Sequence, residues 1–191
     1  MHGIGLHVYS SYVDVTQTGE LKTNGYSGIG IRVDGADNIV NIASDVTANG
    51  DYGNGLLVAY GKGHAITLNA NKTIEAMGTD GVAARFDFGS NELGDQAEYR
   101  GSYITTRYVS QEELDEREAA KPGSTAGEAV GWKEISQAAL PEAINGELVT
   151  TFDVKGTLKG KLASIYISPN ALVKTININS GATLELSLIH I

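Results

Sequence analysis

The stretches Gly3-Ile-Gly-Leu-His-Val8 and Gly28-Ile-Gly-Ile-Arg-Val33 match almost residue for residue, 25 residues apart. Gly55-Leu-Leu-Val-Ala-Tyr60 and Gly81-Val-Ala-Ala-Arg-Phe86 continue the pattern, with glycine spacings of 27 and 26. Each unit then carries a second short apolar run (Val13–Val15, Val40–Ile42, Ile66–Leu68) and a third apolar position (Leu21, Val46, Ile74). Three short β-prone runs in about 26 residues, separated by Gly- and Asn-containing turns, are typical of a β-solenoid. The fold predicted is all-β, a right-handed parallel β-helix.

Alternation within the first run of each unit predicts which side chains face the core. Counting from the glycine, offsets 1, 3 and 5 are predicted to be buried: Ile4, Leu6, Val8, Ile29, Ile31, Val33, Leu56, Val58, Tyr60, Val82, Ala84 and Phe86. Offsets 2 and 4 are predicted to face solvent: Gly5, His7, Gly30, Arg32, Leu57, Ala59, Ala83 and Arg85. The same alignment places Tyr9, Asp34, Gly61 and Asp87 in one further column.

The repeat stops near residue 86 and resumes near the C-terminus. Phe152–Val154 and Leu158 fit the second and third runs of one coil, and Ser164–Ile167, Ile176–Ile178 and Leu184 fit the next. The sequence therefore predicts coils over 1–86, an inserted subdomain over 87–147 and resumed coils over 148–186. Residues 187–191 are set apart as an artefactual tail, because Leu186–Ile191 resemble a translated sequencing adapter.

The insertion has mixed signals. Residues 99–103 and 104–109 predict a short hairpin, and Ser110-Gln-Glu-Glu113 is a capping box that opens a helix over 112–120. A loop over 121–127 and a second helix over 128–139, carrying Trp132, are predicted to follow. The acidic run from Glu112 to Glu118 is interpreted as a solvated helix face.

Composition narrows the range of functions. The 191 residues include 14 Lys and Arg and 23 Asp and Glu, a net charge of −9, and no Cys. This charge argues against nucleic acid or an anionic membrane surface as a partner. The absence of Cys excludes disulfides and thiol chemistry. No cofactor is predicted, and the four His residues show no metal-ligand spacing.

Several strings resemble passenger domains of bacterial autotransporters, closest to large surface proteins of anaerobic Gram-negative gut bacteria. They are Gly55–His64, Gly81–Gly89, Glu98–Tyr103 and Ala163–Lys174. The resemblance implies export to the cell surface and attachment to the outer membrane through a C-terminal β-barrel, which we expect to lie outside this sequence. Some such proteins carry a subtilisin-like protease domain upstream of the helix. We therefore expect an internal fragment of a longer extracellular protein.

Two Arg–Asp pairs are the first candidate site. Arg32 with Asp34, and Arg85 with Asp87, are expected to share an outer face. Such a strip fits polysaccharide binding, or the charged cluster of a β-helix lyase or hydrolase. Exposed ion pairs on a solvated sheet are the simpler interpretation. Asp34, Asp37 and Asn38 offer oxygen atoms of the kind that bind calcium, but turn capping is favoured and no metal is predicted.

The aromatic residues of the insertion are the second candidate site: Tyr99, Tyr103, Tyr108 and Trp132. Exposed aromatic rings stack on sugars and anchor protein partners, although these residues equally suit packing of the insertion on the solenoid. The function predicted is a structural and adhesive stalk that presents loops to glycans or proteins of host or bacterial surfaces, without catalysis. The alternatives are a polysaccharide-active β-helix enzyme and a spacer that follows an upstream protease domain.

Overall fold

A computed structural model of the chain describes residues 3–87, 104–136, 146–168 and 171–186. These residues form three parallel five-stranded sheets, one antiparallel two-stranded sheet and one helix. The three parallel sheets wind into a β-solenoid with about 26 residues per coil. The predicted parallel β-helix is therefore confirmed.

Each coil contributes one strand to each parallel sheet. Sheet 1 contains β1 (Ile4–Val8), β4 (Ile29–Val33), β7 (Asn54–Val58), β10 (Val82–Phe86) and β15 (Ala163–Ile167). Sheet 2 contains β2 (Asp14–Gln17), β5 (Ile39–Ile42), β8 (His64–Leu68), β13 (Val149–Val154) and β16 (Ile176–Ile178). Sheet 3 contains β3 (Leu21–Thr23), β6 (Val46–Ala48), β9 (Thr73–Ala76), β14 (Thr157–Gly160) and β17 (Thr183–Leu186).

The core consists of aliphatic columns that run from coil to coil. Ile42, Leu68 and Val154 stack in sheet 2, and Val46, Ile74 and Leu158 stack in sheet 3, all fully buried. In sheet 1, Val33, Val58 and Phe86 form a third buried column, and the Phe86 ring packs edge-on against Phe152 of sheet 2 at 5.4 Å. Strands of neighbouring coils lie about 4.8 Å apart, so each buried side chain contacts its equivalents above and below.

The predicted alignment of the third coil is wrong by two residues. Ile31 pairs with Leu56 and Arg32 with Leu57, so Gly53, and not Gly55, occupies the position of Gly28. Glycine occurs at both places, and the sequence pattern alone does not separate them. A shift of two residues keeps each side chain on the same face of a strand, and Leu56 and Val58 therefore remain in the core.

The prediction that offsets 2 and 4 of sheet 1 face solvent is wrong for most of these residues. Gly30, Arg32, Leu57, Ala59 and Ala83 are buried, whereas Gly5 and His7 of the first coil are exposed and Arg85 is half-buried. The reason at offset 2 is the close approach of sheet 3. A Cβ atom on Gly30 would lie 2.3 Å from Val46 Cγ1, and one on Gly55 would lie 2.2 Å from Ile74 Cγ2. Only small residues fit between the two sheets there.

The insertion leaves the solenoid after β10 and the solenoid resumes at β13, in the place of a sheet 1 to sheet 2 turn. It contains β11 (Ile104–Val109), α1 (Gln111–Ala120) and β12 (Gly131–Ser136). The first predicted helix is confirmed, and Ser110 caps it by accepting a hydrogen bond from the Glu113 amide at 3.2 Å. The second predicted helix is wrong, because residues 131–136 pair antiparallel with β11. Residues 99–103 and the tail 187–191 lie outside the described residues.

Candidate functional site

Each arginine of the first candidate site lies beside the aspartate two residues further along the chain. Arg32 Nε donates to Asp34 Oδ2 at 2.8 Å, and Arg85 Nη2 donates to Asp87 Oδ2 at 2.7 Å. Side chains two apart on a strand point to the same face, which brings each pair together. The pairing is thus a local consequence of the strand.

The Arg32–Asp34 pair is not on a solvated surface. The two side chains are 2% and 3% exposed. His7 of the first coil adds a second nitrogen to the same carboxylate, with Nε2 at 2.6 Å from Asp34 Oδ2. A charge is buried at tolerable cost only when it is paired and hydrogen-bonded, and here two side chains share that task. This Buried Arg–Asp–His cluster leaves little of Arg32 or Asp34 for a ligand to reach.

The Arg85–Asp87 pair is more open. The Arg85 side chain is 32% exposed and the Asp87 side chain 14%. The Arg85 guanidinium also lies over the ring of Tyr166 in the next coil, 4.8 Å from the ring centroid. A cation over an aromatic face is stabilised by the quadrupole of the ring. Arg85 and Asp87 are therefore the part of the predicted strip that a solute reaches, and Tyr166, which the sequence analysis did not select, lies beside them.

Apolar residues separate the two pairs. The corrected register places Leu57 between Arg32 and Arg85, where the sequence alignment placed Ala59. The backbone hydrogen bonds place Ala59 between Asp34 and Asp87, where the alignment placed Gly61. Leu57 and Ala59 are 4% and 0% exposed. The four charged residues therefore form two separate pairs and no continuous charged groove.

The aromatic residues of the insertion are only partly described. Tyr99 and Tyr103 lie outside the described residues. Tyr108 and Trp132 are directly opposite each other in the backbone register of β11 and β12. Opposed positions of an antiparallel pair are near neighbours, so the strands bring these two of the four predicted residues together.

The turn between sheets 1 and 2 holds the residues considered for calcium. Asn38 is fully buried; its side-chain nitrogen donates to the carbonyls of Ser10 and Asp34, and Oδ1 accepts from the Val13 amide. The Asp34 carboxylate binds Arg32 and His7. The Asn38 side chain closes the turn, in agreement with the capping interpretation, and the Asp34 carboxylate binds protein donors, while Asp37 is exposed. No group of three or more candidate metal ligands occurs among the described residues.

His64 occupies the position of Asn38 in the next coil. Its Nε2 lies 3.0 Å from the carbonyl oxygen of Tyr60, four residues back, just as Asn38 reaches Asp34. The ring is fully buried, and Nδ1 has no hydrogen-bond partner within the described part of the chain. Burial lowers the pKa of His64, and nearby carbonyls and the carboxylates of Asp34 and Asp37 only partly oppose this.

Four exposed tyrosines in the turns and at strand ends were not predicted as site residues from the sequence. Tyr9 and Tyr12 are 73% and 81% exposed, and Tyr26 and Tyr52 are 55% and 47% exposed. The rings of Tyr26 and Tyr52 contact each other from successive coils, with centroids 5.1 Å apart. The sequence does contain a signal for these two residues: a tyrosine occurs within two residues of the Asn-Gly pairs at 24–25 and 49–50.

No protein-family model, curated protein or solved structure matches the chain. Among the described residues, no helix is long and apolar enough to cross a membrane.

Proposed function

We propose that this chain is a rigid stalk segment of an autotransporter-type passenger, displayed at the surface of a Gram-negative bacterium and used for adhesion. The observation that carries the proposal is the set of buried columns in all three sheets, through Ile42, Val46, Val58 and their equivalents. Each coil contacts mainly its neighbours, so the structure extends in one dimension and its turns face outward. Such an object is suited to holding turns and the insertion away from an anchoring surface.

The charged residues favour a stalk over an enzyme. General acid–base chemistry on a polysaccharide requires carboxyl groups that reach the substrate. Asp34 is buried against Arg32 and His7, and Asp87 is held by two nitrogens of Arg85 at 3.0 and 2.7 Å. Both carboxylates therefore already bind nitrogen donors of the chain itself. The partners proposed are glycans or proteins of host or bacterial surfaces, which bind exposed turns without being cleaved.

A bead assay tests adhesion against catalysis. Beads coated with the chain are incubated with epithelial cells and with gut bacterial cells, and the expected result is adhesion above that of albumin-coated beads. In parallel, polysaccharides mixed with the chain are expected to release no reducing or unsaturated sugar ends. Release of such ends by the chain, lost in Arg85→Ala and retained in Lys22→Ala, would replace the stalk with an enzyme. Lys22 is the matched control because it also pairs with a nearby carboxylate, that of Glu20, on the surface.

The autotransporter part of the proposal has a separate test. Sequencing the source DNA past both ends of the reading frame is expected to show an export signal upstream and an outer-membrane anchoring domain downstream. A reading frame that closes without an anchoring domain would overturn the surface assignment.

A further inference from the structure

The turn that joins sheet 3 to sheet 1 has the same construction in three successive coils. The three turns are five residues long and comprise residues 24–28, 49–53 and 77–81. In each turn the second and the fifth residues are glycine. The fourth residue has a positive φ: Ser27 at 50°, Tyr52 at 57° and Asp80 at 55°. Gly25, Gly50 and Gly78 lie on top of one another, since a Cβ on Gly50 or Gly78 would meet the carbonyl of the glycine below. Side chains of these turns therefore form ladders along the solenoid axis.

A tyrosine pair and an asparagine pair occur on the first two turns. Tyr26 is the third residue of its turn and Tyr52 the fourth, so their rings meet diagonally, whereas Asn24 and Asn49 occupy equivalent first positions. The rings of Tyr26 and Tyr52 are 5.1 Å apart and inclined at 52°, and about half of each is exposed. Beside them Asn49 Nδ2 donates to Asn24 Oδ1 at 2.8 Å, and both asparagines are exposed. This hydrogen bond uses neither Asn24 Nδ2 nor Asn49 Oδ1. We call Asn24, Tyr26, Asn49, Asp51 and Tyr52 the tyrosine edge.

The tyrosine at position 52 is costly for the turn. A bulky residue with φ of 57° is unfavourable, and Gly, Asn or Asp occupies this conformation more readily. The equivalent positions carry Ser27 and Asp80, so the turn itself does not require an aromatic residue. At 47% exposure, burial does little to offset the cost. Tyr12 has the same backbone conformation, with φ of 60°, but within the described residues its ring contacts no other aromatic ring. What distinguishes Tyr52 is therefore its half-exposed ring held against Tyr26, a pair of aromatic faces that a ligand can cover.

The surroundings of the rings indicate the chemistry of that ligand. Aromatic faces stack on the apolar faces of sugar rings, while amide and carboxylate groups bond to hydroxyls. The edge offers both kinds of group side by side, and none of its five residues is a cation. Asp51 accepts a hydrogen bond from the Thr79 amide at 2.8 Å, which lowers the pKa of its carboxyl and keeps it charged. The Lys161 ammonium lies near enough to Asp51 to help lower the pKa of that carboxyl. With a net charge of −9 on the chain, an anionic polysaccharide is disfavoured.

We infer that the tyrosine edge binds an uncharged glycan, whose successive sugar rings stack on Tyr26 and Tyr52 along the solenoid axis and whose hydroxyls bond to Asn24 and Asn49. This inference deepens the adhesive role proposed above and rests on it. It identifies one ligand class and one edge of the solenoid, neither of which involves the Arg–Asp pairs.

Native affinity electrophoresis tests the inference. The chain is run through gels that contain a galactomannan, a mixed-linkage β-glucan or an arabinoxylan, with polygalacturonate as the anionic comparison. We expect retardation by at least one neutral polysaccharide and none by polygalacturonate. Tyr26→Ala is expected to weaken binding about tenfold, as loss of a central aromatic contact does. Tyr12→Ala, which removes a tyrosine that is 81% exposed elsewhere on the surface, is the matched control and is expected to bind normally.

Tyr52→Asn separates binding from folding. Asparagine tolerates the positive φ better than tyrosine, so this variant is expected to be at least as stable as the original in urea unfolding, yet to lose retardation. Unchanged retardation of Tyr52→Asn, retardation by polygalacturonate alone, or retardation by none of the gels would overturn the inference.

The bead assay distinguishes a wrong glycan inference from a wrong proposal of adhesion. Coated beads that adhere to cells while none of the neutral polysaccharides retards the chain would overturn the glycan inference and leave the adhesive stalk standing. A chain that is retarded by neutral glycan through Tyr52 while its beads do not adhere would overturn adhesion and leave the glycan site standing.

Discussion

Arg32 and Asp34 show how the solenoid accommodates a buried charge. Both are almost wholly covered, and His7 completes the coordination of the carboxylate. In the next coil the same two columns carry Leu57 and Ala59, which are buried without any charge. The chain therefore contains its own apolar equivalent of the ion pair, one coil away.

This equivalence predicts the effect of replacing the pair. Asp34→Ala leaves the Arg32 charge buried with its carboxylate partner removed and should lower the free energy of unfolding by roughly 3–5 kcal/mol. The double variant Arg32→Leu, Asp34→Ala carries the residue types of Leu57 and Ala59 in the next coil. Its free energy of unfolding should lie within about 1 kcal/mol of that of the original chain. Urea unfolding of both variants measures the difference. A double variant as unstable as the single one would show that the cluster organises the coil in a way that Leu57 and Ala59 do not.

His64 closes its turn in the neutral form. Burial lowers its pKa in the folded chain, so on acidification the unfolded chain takes up a proton before the folded chain does. The contribution to stability is therefore complete above about pH 6.5, the pKa of an unperturbed histidine, and is lost as the pH falls from there through the lowered value.

His64→Asn is expected to remove this part of the pH dependence. Asn38 makes the equivalent bond to the carbonyl four residues back, so asparagine suits the position and the variant should fold normally near neutral pH. Between about pH 7 and pH 5 its urea midpoint should fall less than that of the original chain. His64→Ala is the control, since it loses the turn bond and should be destabilised by roughly 1–3 kcal/mol at both pH values. An identical decrease in the original chain and in His64→Asn would contradict the assignment.

At the scale of elements, side chains stabilise both ends of helix α1. The sequence pattern predicts the role of the side chain at the N-terminal end but not that of the side chain near the C-terminal end. Ser110 is the N-cap that the capping box predicts. Glu118, interpreted from the sequence as part of a solvated acidic face, instead binds the loop after the helix: its carboxylate accepts from the Gly123 amide at 2.6 Å and from the Thr125 hydroxyl at 2.7 Å. The hydrogen bond from the Gly123 amide lowers the pKa of Glu118, and the hydrogen bonds from Thr125 lower it further by smaller amounts.

Glu118→Ala should therefore loosen the loop without unfolding the solenoid. Amide hydrogen exchange at Gly123 and Thr125 is expected to accelerate near neutral pH, while Glu116→Ala, an exposed neighbour on the same helix, should leave it unchanged. Because the folded-state pKa is lowered, the clamp is complete above about pH 4.5, the ordinary value for Glu, and is lost as the pH falls through the lowered value. Equal exchange in the two variants would exclude Glu118 as the loop clamp.

At the scale of the whole molecule, stability is expected to depend on position along the solenoid axis. Ile42 and Ile178 belong to one column of sheet 2, separated by Leu68 and Val154. Ile42 is 0% exposed and Ile178, in the last described coil, is 48% exposed. Each coil is held mainly by its neighbours, so an inner coil is supported on both sides.

The two isoleucines provide a matched pair of variants. Ile42→Ala should lower the free energy of unfolding by roughly 2–5 kcal/mol, because it leaves a cavity in a packed column. Ile178→Ala should cost less than about 1 kcal/mol, since the site is already half-exposed. Urea unfolding followed by far-ultraviolet circular dichroism measures both. Equal losses would mean that something covers the last coil in solution.

The amino-acid sequence by itself determined the solenoid period, the division of each coil into three strands, the coils that resume after the insertion and the first helix of that insertion. These features repeat or have a local signature: alternating aliphatic residues, turn glycines and a Ser110 cap are stabilising wherever they occur. The pairing of each Arg with the Asp two residues on is equally local, because a strand places them on one face.

Only the tertiary structure decided the register of the third coil, the burial of the Arg32–Asp34 pair, the strand at 131–136 and the exposure of the tyrosine edge. Each depends on a partner that lies far away in the sequence or in another sheet. Gly53 and Gly55 fit the repeat equally well in the sequence, and only the pairing of β7 with β4 shows that Gly53 aligns with Gly28. Residues 131–136 are compatible with a helix by sequence, and their pairing with β11 makes them a strand. Local pattern specifies which conformations a segment can adopt, and contacts between segments select among them and set how much of each side chain remains in water.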